Sequence, residues 1–365
     1  MAKQILVFNC GSSSIKFSLV DPDSGVSQIS GLAERLGTDQ ATLSITHAEN
    51  KQNFTLTPGD YNKAMATIFA ELKPFLADVL AVGHRVVHGG EKFKQAVIIN
   101  PEVLGAIEDC ISLAPLHNPA NIEGIKIAKQ HLADIPHIAC FDTAFHSTMP
   151  ELAYMYPLPY EWYEEHQVRR YGFHGISYQY VSKKAVGQLQ LNPNNHAMII
   201  AHLGNGCSAC AVKNGKSVDT TMGLTPLEGL MMGTRSGSID PGIHQYISKQ
   251  LQLSIDDVTT KLNKNSGLKG VSGISHDMRD LANKGGRAQL AIDLFCYRLA
   301  KQIAGLAATL PKLDALVFTA GIGENDKAVR DKTIAQLQAL NLTSTILVIP
   351  TNEEWQISQD AMELL

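Results

Sequence analysis

Residues 8–20 read FNCGSSSIKFSLV, and the backbone after the glycine decides which fold the chain adopts. Ile5, Leu6, Val7 and Phe8 run into a polar turn at Gly11, a lysine follows, and apolar residues resume. A P-loop would need GxxxxGK[ST] opening a helix. Here the second glycine is missing and Lys16 precedes Phe17. Ile15, Phe17 and Leu19 alternate with Ser14, Lys16 and Ser18, the period of a strand with two faces. The stretch therefore reads as a hairpin with Ser12, Ser14 and Lys16 on one face. Its amides, hydroxyls and ammonium can cradle phosphate without a helix dipole. The competing reading is an exposed polar hairpin face.

The order of elements recurs. Residues 5–25 (ILVFNCGSSSIKFSLVDPDSG) and 198–218 (MIIAHLGNGCSACAVKNGKSV) each run strand, small polar turn, strand, tight-turn signal, third segment. One such unit per half predicts two related domains facing each other. Gly-rich turns follow apolar strands at 9–14, 203–206 and 321–325, where glycine lets backbone approach a ligand closely. Three of them point to a nucleotide gripped between the domains.

Helical patterns are expected at 61–76, 101–110, 118–131, 177–189, 289–310 and 328–340, and buried strands at 137–141 and 313–319. Mixed strands and helices throughout give an α/β protein. The chain has 365 residues, more than one core usually holds. Domains are placed at 1–147, with 355–365 packing back on it, and at 148–354, the nucleotide-binding half.

Basic and acidic residues number 31 and 35, for a net charge of −4, so no strong field invites nucleic acid or an anionic membrane. No signal-type segment and no apolar run of about 20 residues is seen, so a cytoplasmic protein is expected. Cysteines 10, 110, 140, 207, 210 and 296 are scattered and read as free thiols. Cys207 and Cys210 form CxxC, but on a strand they point to opposite faces, which speaks against a shared metal.

NCGSSSIKF, GHRVVHGGEK, PLHNPAN, FDTAFHSTMP, RRYGFHGIS, HLGNG, TPLEGLMMGTRSG, GIGEN and IPTNEE, in that order along nearly the whole chain, resemble the acetate kinase family. The resemblance implies two duplicated actin-like, ribonuclease H-like domains with mixed sheets flanked by helices and a cleft between them. It implies reversible Mg-ATP-dependent phosphorylation of acetate to acetyl phosphate by direct in-line transfer, and a homodimer.

Arg85 and Arg235 sit among glycines and small residues, where a guanidinium can grip carboxylate or phosphate bidentately. The resemblance places both at the carboxylate and the transferring phosphoryl group. It places His174 at the transition state. A hydrogen bond to an equatorial phosphoryl oxygen is expected of His174 rather than proton abstraction, because a carboxylate with a pKa near ~4.3 is already ionised. The difficulty is an anion attacking a polyanion, so the site needs positive charge and donors, not a base. A sugar kinase, by contrast, would use Asp142 as base; here Asp142, ending a buried strand, is expected to order the site and the Mg²⁺ environment. Asn9 and Glu353 match the family's magnesium positions (Mn²⁺ as an alternative), with Glu354 the competing assignment; one amide and one carboxylate suit a cation that keeps waters.

For ATP/ADP the resemblance implies Ser12, Ser14, Lys16, His202, Leu203, Gly204, Asn205, Gly206, Asp277, Met278, Arg279, Gly321, Ile322, Gly323, Glu324 and Asn325. An acetate-sized pocket is implied at Val87, Leu116, Phe173 and Pro226, which on pattern alone are ordinary core residues. Val87 should crowd longer acids, although one methylene discriminates by only ~1–3 kcal/mol, so propionate is a plausible second substrate.

The chain departs from the family at Ser238, where aspartate is usual, in a shorter run after Arg279, and between 340 and 349. There family members carry about thirty more residues, either a real deletion here or an omitted surface loop. Omission is the expected reading, with 338–347 not continuous structure. Three functions compete: acetate kinase, a propionate or butyrate kinase of the same family, and a nucleotide-gated binding or filament protein on the same fold. The paired arginines disfavour the last, since a pure nucleotide switch needs no second anion site. Replacing Arg85 or Arg235 by alanine is expected to cut turnover by orders of magnitude without unfolding the protein.

Overall fold

The computed structural model describes residues 3–340 and 344–365. It divides into two units, Met1–Phe145 with Asn352–Leu365, and His146–Thr351. None of its helices is long and apolar enough to cross a membrane among the described residues.

The first unit is built on β1 (Gln4–Gly11), β2 (Ser14–Val20), β3 (Ser27–Glu34), β4 (Thr42–His47), β5 (Asn50–Thr55), β6 (Val79–Val86), β7 (Val97–Ile98) and β8 (His137–Phe141). They form one sheet in the order β5-β4-β3-β2-β1-β6-β8-β7. The hairpin of the opening stretch is antiparallel, with Asn9 opposite Lys16. β1, β6 and β8 run parallel, so their carboxyl ends lie along one edge of the sheet. Helices α1 (Tyr61–Leu72), α2 (Pro101–Asp109) and α3 (Asn118–His131) cover it. The side chain of Asp60 caps α1 by accepting from Lys63 N–H. α1 stops short of the 61–76 expectation because Pro74 cannot donate; the chain tightens into a 3₁₀ turn over Lys73–Asp78. Leu6, Phe8, Phe17 and Leu19 from the strands and Met65, Ile68 and Leu72 from α1 share one core.

The second unit holds β9 (Ala197–Leu203), β10 (Cys207–Lys213), β11 (Lys216–Thr220), β12 (Ala315–Thr319) and β13 (Thr345–Val348), in the order β11-β10-β9-β12-β13. Its β9-β10-β11 antiparallel run repeats the order and sense of β1-β2-β3. The helices are α4 (Glu151–Tyr154), α5 (Tyr160–His166), α6 (Gly175–Leu189), α7 (Gly242–Leu251), α8 (Ile255–Lys264), α9 (Gly267–Ser272), α10 (Met278–Leu281), α11 (Gly286–Ala307), α12 (Ala320–Asn325) and α13 (Lys327–Leu337). α11 buries Ala288, Ala291, Phe295, Leu299 and Ile303, the three-four spacing of an amphipathic helix.

One expectation is corrected here. The 321–325 segment is not a turn: it is the one-turn helix α12, entered through Ala320 at φ 65°. Of the 338–347 segment, expected not to be continuous, Gln338–Leu340 form a 3₁₀ turn and β13 pairs in parallel with β12. Residues 341–343 of that expectation lie outside the described residues.

After Thr351 the chain returns to the first unit as α14 (Glu353–Met362), capped by Asn352. Ile357 presses on β6 so closely that a Cβ at Gly83 would meet it at 2.5 Å; only glycine fits there. Trp355 Nε1 donates to the Pro22 carbonyl at 2.8 Å. The first turn of α14, with Glu353 and Glu354, is thereby fixed, and the helix dipole favours acidic residues at that end.

Candidate active site

In the first unit the parallel strands deliver polar side chains at their carboxyl ends, the usual place for function in an α/β sheet. Asn9 comes from β1, Arg85 from β6, and Asp142 follows β8 directly. Arg85 Nε donates to Asp142 Oδ1 at 2.9 Å and Nη2 to Oδ2 at 2.6 Å, a bidentate pair. Arg85 Nη1 donates to Asn9 Oδ1 at 3.1 Å. Three of the five guanidinium N–H donors are thus committed within the protein. Asp142 and Glu353 hold the guanidinium above its ordinary pKa, against burial. Lys16, opposite Asn9, pairs with Glu354 at 2.5 Å. Burial raises the Glu353 carboxyl, opposed by Arg85 and reinforced by Asp142 and Glu354. Three carboxylates therefore face two cations, an imbalance that favours a further cation near Glu353.

Ser12 is exposed and Ser14 half-buried on the hairpin beside Lys16. Val87 is buried, whereas Leu116 is 55% exposed, so its reading as a core residue does not hold; it lies in the irregular link before α3.

Two residues that sequence reasoning missed hold these strand ends. Asn121 Nδ2 donates to the Cys10 carbonyl at 2.6 Å, and its Oδ1 accepts from Val87 N at 3.0 Å, bridging β1 and β6. Asn118 Oδ1 accepts from His88 N at 3.2 Å. Their signal was two amides three apart at the start of an apolar-faced helix, the spacing that puts both on one side.

In the second unit the chain takes a left-handed residue, φ 58°, at His174 before α6 begins. The segment is pinned by His146, whose Nε2 donates to the Phe173 carbonyl at 2.9 Å and whose Nδ1 accepts from Ser217 at 2.8 Å. Phe173 is buried. The His174 ring stacks on His202, centroids 4.2 Å apart, and Nδ1 contacts Ser208 Oγ at 2.9 Å. His202 Nδ1 in turn meets Ser177 Oγ at 2.9 Å.

The β9–β10 turn, His202 to Gly206, lies beside these rings. A Cβ at Gly206 would stand 3.5 Å from Arg235 Nη1 and 3.5 Å from His174 Nε2. Both groups therefore flank the same bare stretch of backbone. Arg235 Nη1 donates to the Pro226 carbonyl at 3.3 Å, and the half-buried Pro226 shares its loop. Arg235 makes no ion pair among the described residues, and burial lowers its pKa. Ser238, the departure from the family pattern, closes this loop, its Oγ accepting from Gly229 N at 3.0 Å. Asn205 O accepts from Gly233 N at 3.1 Å, tying the turn to the Arg235 loop. Cys207 and Cys210 are free and buried; burial raises both thiols, Cys207 to about 12.

The other proposed nucleotide residues are partly engaged in local structure. Asp277 caps α10 and pairs with the exposed Arg279, while Met278 is buried. Glu324 Oε1 accepts from Ala320 N at 2.7 Å and Thr351 N at 3.1 Å, acting as a clamp. Asn325 Nδ2 donates to Gly321 O, and Arg330 to the carbonyls of Gly323 and Glu324. Leu203 is buried at the end of β9, and Gly204 and Ile322 are half-buried.

The family model described as the acetokinase family matches residues 4–345. The acetate kinase of Deinococcus radiodurans is 49% identical over 383 residues, 97% of this chain and 96% of the relative. That alignment is longer than the chain's 365 residues, so the relative carries residues this chain lacks. The crystal structure of a propionate kinase from Francisella tularensis is 44% identical, covers 100% of both chains and superposes with a TM-score of 0.96. That of Porphyromonas gingivalis acetate kinase is 40% identical over 100% of both chains, with a TM-score of 0.93. The chain belongs to the acetokinase family.

Proposed function

We propose that this α/β protein of two actin-like units, a kinase that uses ATP and a divalent metal, transfers the γ-phosphoryl group of Mg-ATP to acetate. A carboxylate oxygen attacks phosphorus in line, the bond to the ADP oxygen breaks, and acetyl phosphate forms, reversibly. The observation that carries this reading is Arg235: a sheltered guanidinium without a carboxylate partner among the described residues, set with His174 around Gly206. A cation placed so suits an anion that arrives with the substrate.

Arg85 keeps two N–H donors for the acid's carboxylate while Asp142 fixes its plane. His174 and Arg235 offset the charge on the equatorial oxygens, the work that positioning and electrostatics do in phosphoryl transfer. No group has to act as base. Val87, Leu116, Phe173 and Pro226 are the proposed acid contacts. Ser12, Ser14, Lys16, the 202–206 turn, 277–279 and 321–325 are the proposed nucleotide contacts.

Asn9 Oδ1 and the Glu353 carboxylate are hard oxygen donors in a region with excess negative charge, which fits Mg²⁺. When bound between Asn9 and Glu353, the metal would supply positive charge to offset that of the phosphates. A two-domain organisation with a boundary near 147/148, a homodimer and a cytoplasmic location complete the proposal, on the strength of the family resemblance.

Propionate is the second reading, supported by the 44% identity to the Francisella tularensis propionate kinase. Trapping acyl phosphate with hydroxylamine in parallel assays of acetate, propionate and butyrate decides between them. A higher kcat/KM for propionate overturns the acetate assignment, and a preference for butyrate refutes the Val87 argument. No acid-dependent ADP release from a protein that binds ATP would support the binding-protein alternative.

A further inference from the structure

The use of His174 depends on which ring nitrogen carries the proton, and its surroundings decide that. Tyr178 lies one turn along α6 on the same face, fully buried. Burial keeps the phenol protonated, its pKa well above the ordinary value. Its hydroxyl meets Ser208 Oγ at 2.5 Å.

If Ser208 donated to Tyr178, the phenol's own proton would be buried without an acceptor among the described residues, a costly arrangement. The phenol therefore donates to Ser208. Ser208, itself 0% exposed, then sends its single hydrogen to its other partner, His174 Nδ1 at 2.9 Å. An imidazole nitrogen that accepts carries no proton, so the neutral ring bears it on Nε2. Nε2 is the nitrogen on the Gly206 side, beside Arg235 Nη1.

We propose that Tyr178 and Ser208 are positioning residues that hold His174 as the neutral Nε2–H tautomer, so that it meets the phosphoryl oxygens as a hydrogen-bond donor and never as a base. This rests on the reading of His174 at the transferring group. The relay also disfavours an imidazolium, whose Nδ1–H would turn the whole chain of hydroxyls around and orphan the phenol proton.

The test is a long-range ¹H–¹⁵N spectrum of the full chain labelled with ¹⁵N-histidine at pH 7.5, with His174→Gln identifying the signal, alongside steady-state kinetics. A protonated Nε2 and an unprotonated Nδ1 in the unmodified protein are expected. Ser208→Ala removes the donor without adding an atom. It should leave His174 a mixture of tautomers and lower kcat by roughly 10- to 100-fold, as loss of an orienting partner typically does. KM for ATP and acetate should each stay within about threefold. Tyr178→Phe, which frees the serine hydroxyl to turn, should fall between. A proton on Nδ1, or on both nitrogens, in the unmodified protein overturns the proposal, as does a Ser208→Ala protein with unchanged tautomer and kcat. If that variant does not fold, the unmodified spectrum still decides. An Nε2–H signal combined with undiminished kcat in His174→Gln sinks the catalytic reading of His174 while leaving the tautomer assignment standing.

Discussion

The two arginines should separate when stability and turnover are measured together, and Arg85 is the sharper case. In Arg85→Ala the carboxylate of Asp142, only 2% exposed at its side chain, loses both bidentate donors. Removing one partner of a buried pair costs about 3–5 kcal/mol, because the remaining charge is left uncompensated. At about 2–4 °C per kcal/mol for a domain of this size, the melting temperature should fall by roughly 10 °C. Replacing both partners by apolar residues, Arg85→Met with Asp142→Leu, removes the orphaned charge and should recover most of that loss. Turnover should not recover, since neither replacement can hold the acid's carboxylate. Urea denaturation midpoints give the stability cycle, and hydroxylamine trapping gives acyl phosphate formation. An Arg85→Ala midpoint equal to that of the unmodified protein, or a double variant no more stable than the single, would refute the argument. The sequence-based expectation that Arg85→Ala loses turnover without unfolding stands with an added stability cost: glycine neighbours suggested an arginine waiting for a ligand, and the structure pairs it with Asp142.

Arg235→Ala should lower kcat by about 10²–10³, the usual cost of deleting a charge-stabilising donor, yet leave the denaturation midpoint unchanged or higher, since no carboxylate is abandoned; a lowered midpoint would contradict the absence of a partner. Gly206→Ala puts a methyl group between His174 Nε2 and Arg235 Nη1, and should reduce turnover more than ten-fold in a folded protein; wild-type rates would show that the space is not used. Glu353→Gln should raise the Mg²⁺ concentration needed for half-maximal rate about ten-fold or more, and an unchanged requirement would move the metal assignment to Glu354. His84, His88 and His137 all have pKa values lowered by burial, His88 to about 4. The unfolded chain protonates near 6.5 while the folded chain resists, so this stability is present above pH 6.5 and lost below it, at about 1.4 kcal/mol per group per pH unit; a denaturation midpoint that is flat between pH 7 and 5.5 would refute it.

Much of the fold was legible because its signals are local. The alternation after Gly11 distinguished a hairpin from a P-loop. The 118–131 helix, its end expected near His131, and the 137–141 strand match the structure, because Asn-Pro opens the one and a bounded apolar run makes the other. The 321–325 segment failed because glycine marks a helical start as readily as a turn, and the choice rests on Glu324 reaching the amides of Ala320 and Thr351. The core reading of Leu116 does not hold because an isolated apolar residue in a link says nothing about its cover, while its place in the acid pocket stays a proposal.

Sequence alone determined which residue types were available for the chemistry: arginines in small-residue contexts, an Asp at a strand end, a His shortly before a helix, and the acidic pair Glu353 and Glu354. Tertiary structure decided what each of them faces. Asn9 and Lys16 became neighbours by strand register, Asp142 claimed Arg85 because β6 and β8 run parallel, and Arg235 was left without a counterion among the described residues. Asn121, Ser208 and Tyr178 gained their roles only through contacts 111, 34 and 30 residues away in the chain. Hydrogen-bond partners and burial are set by what packs nearby in space, and no local pattern encodes them.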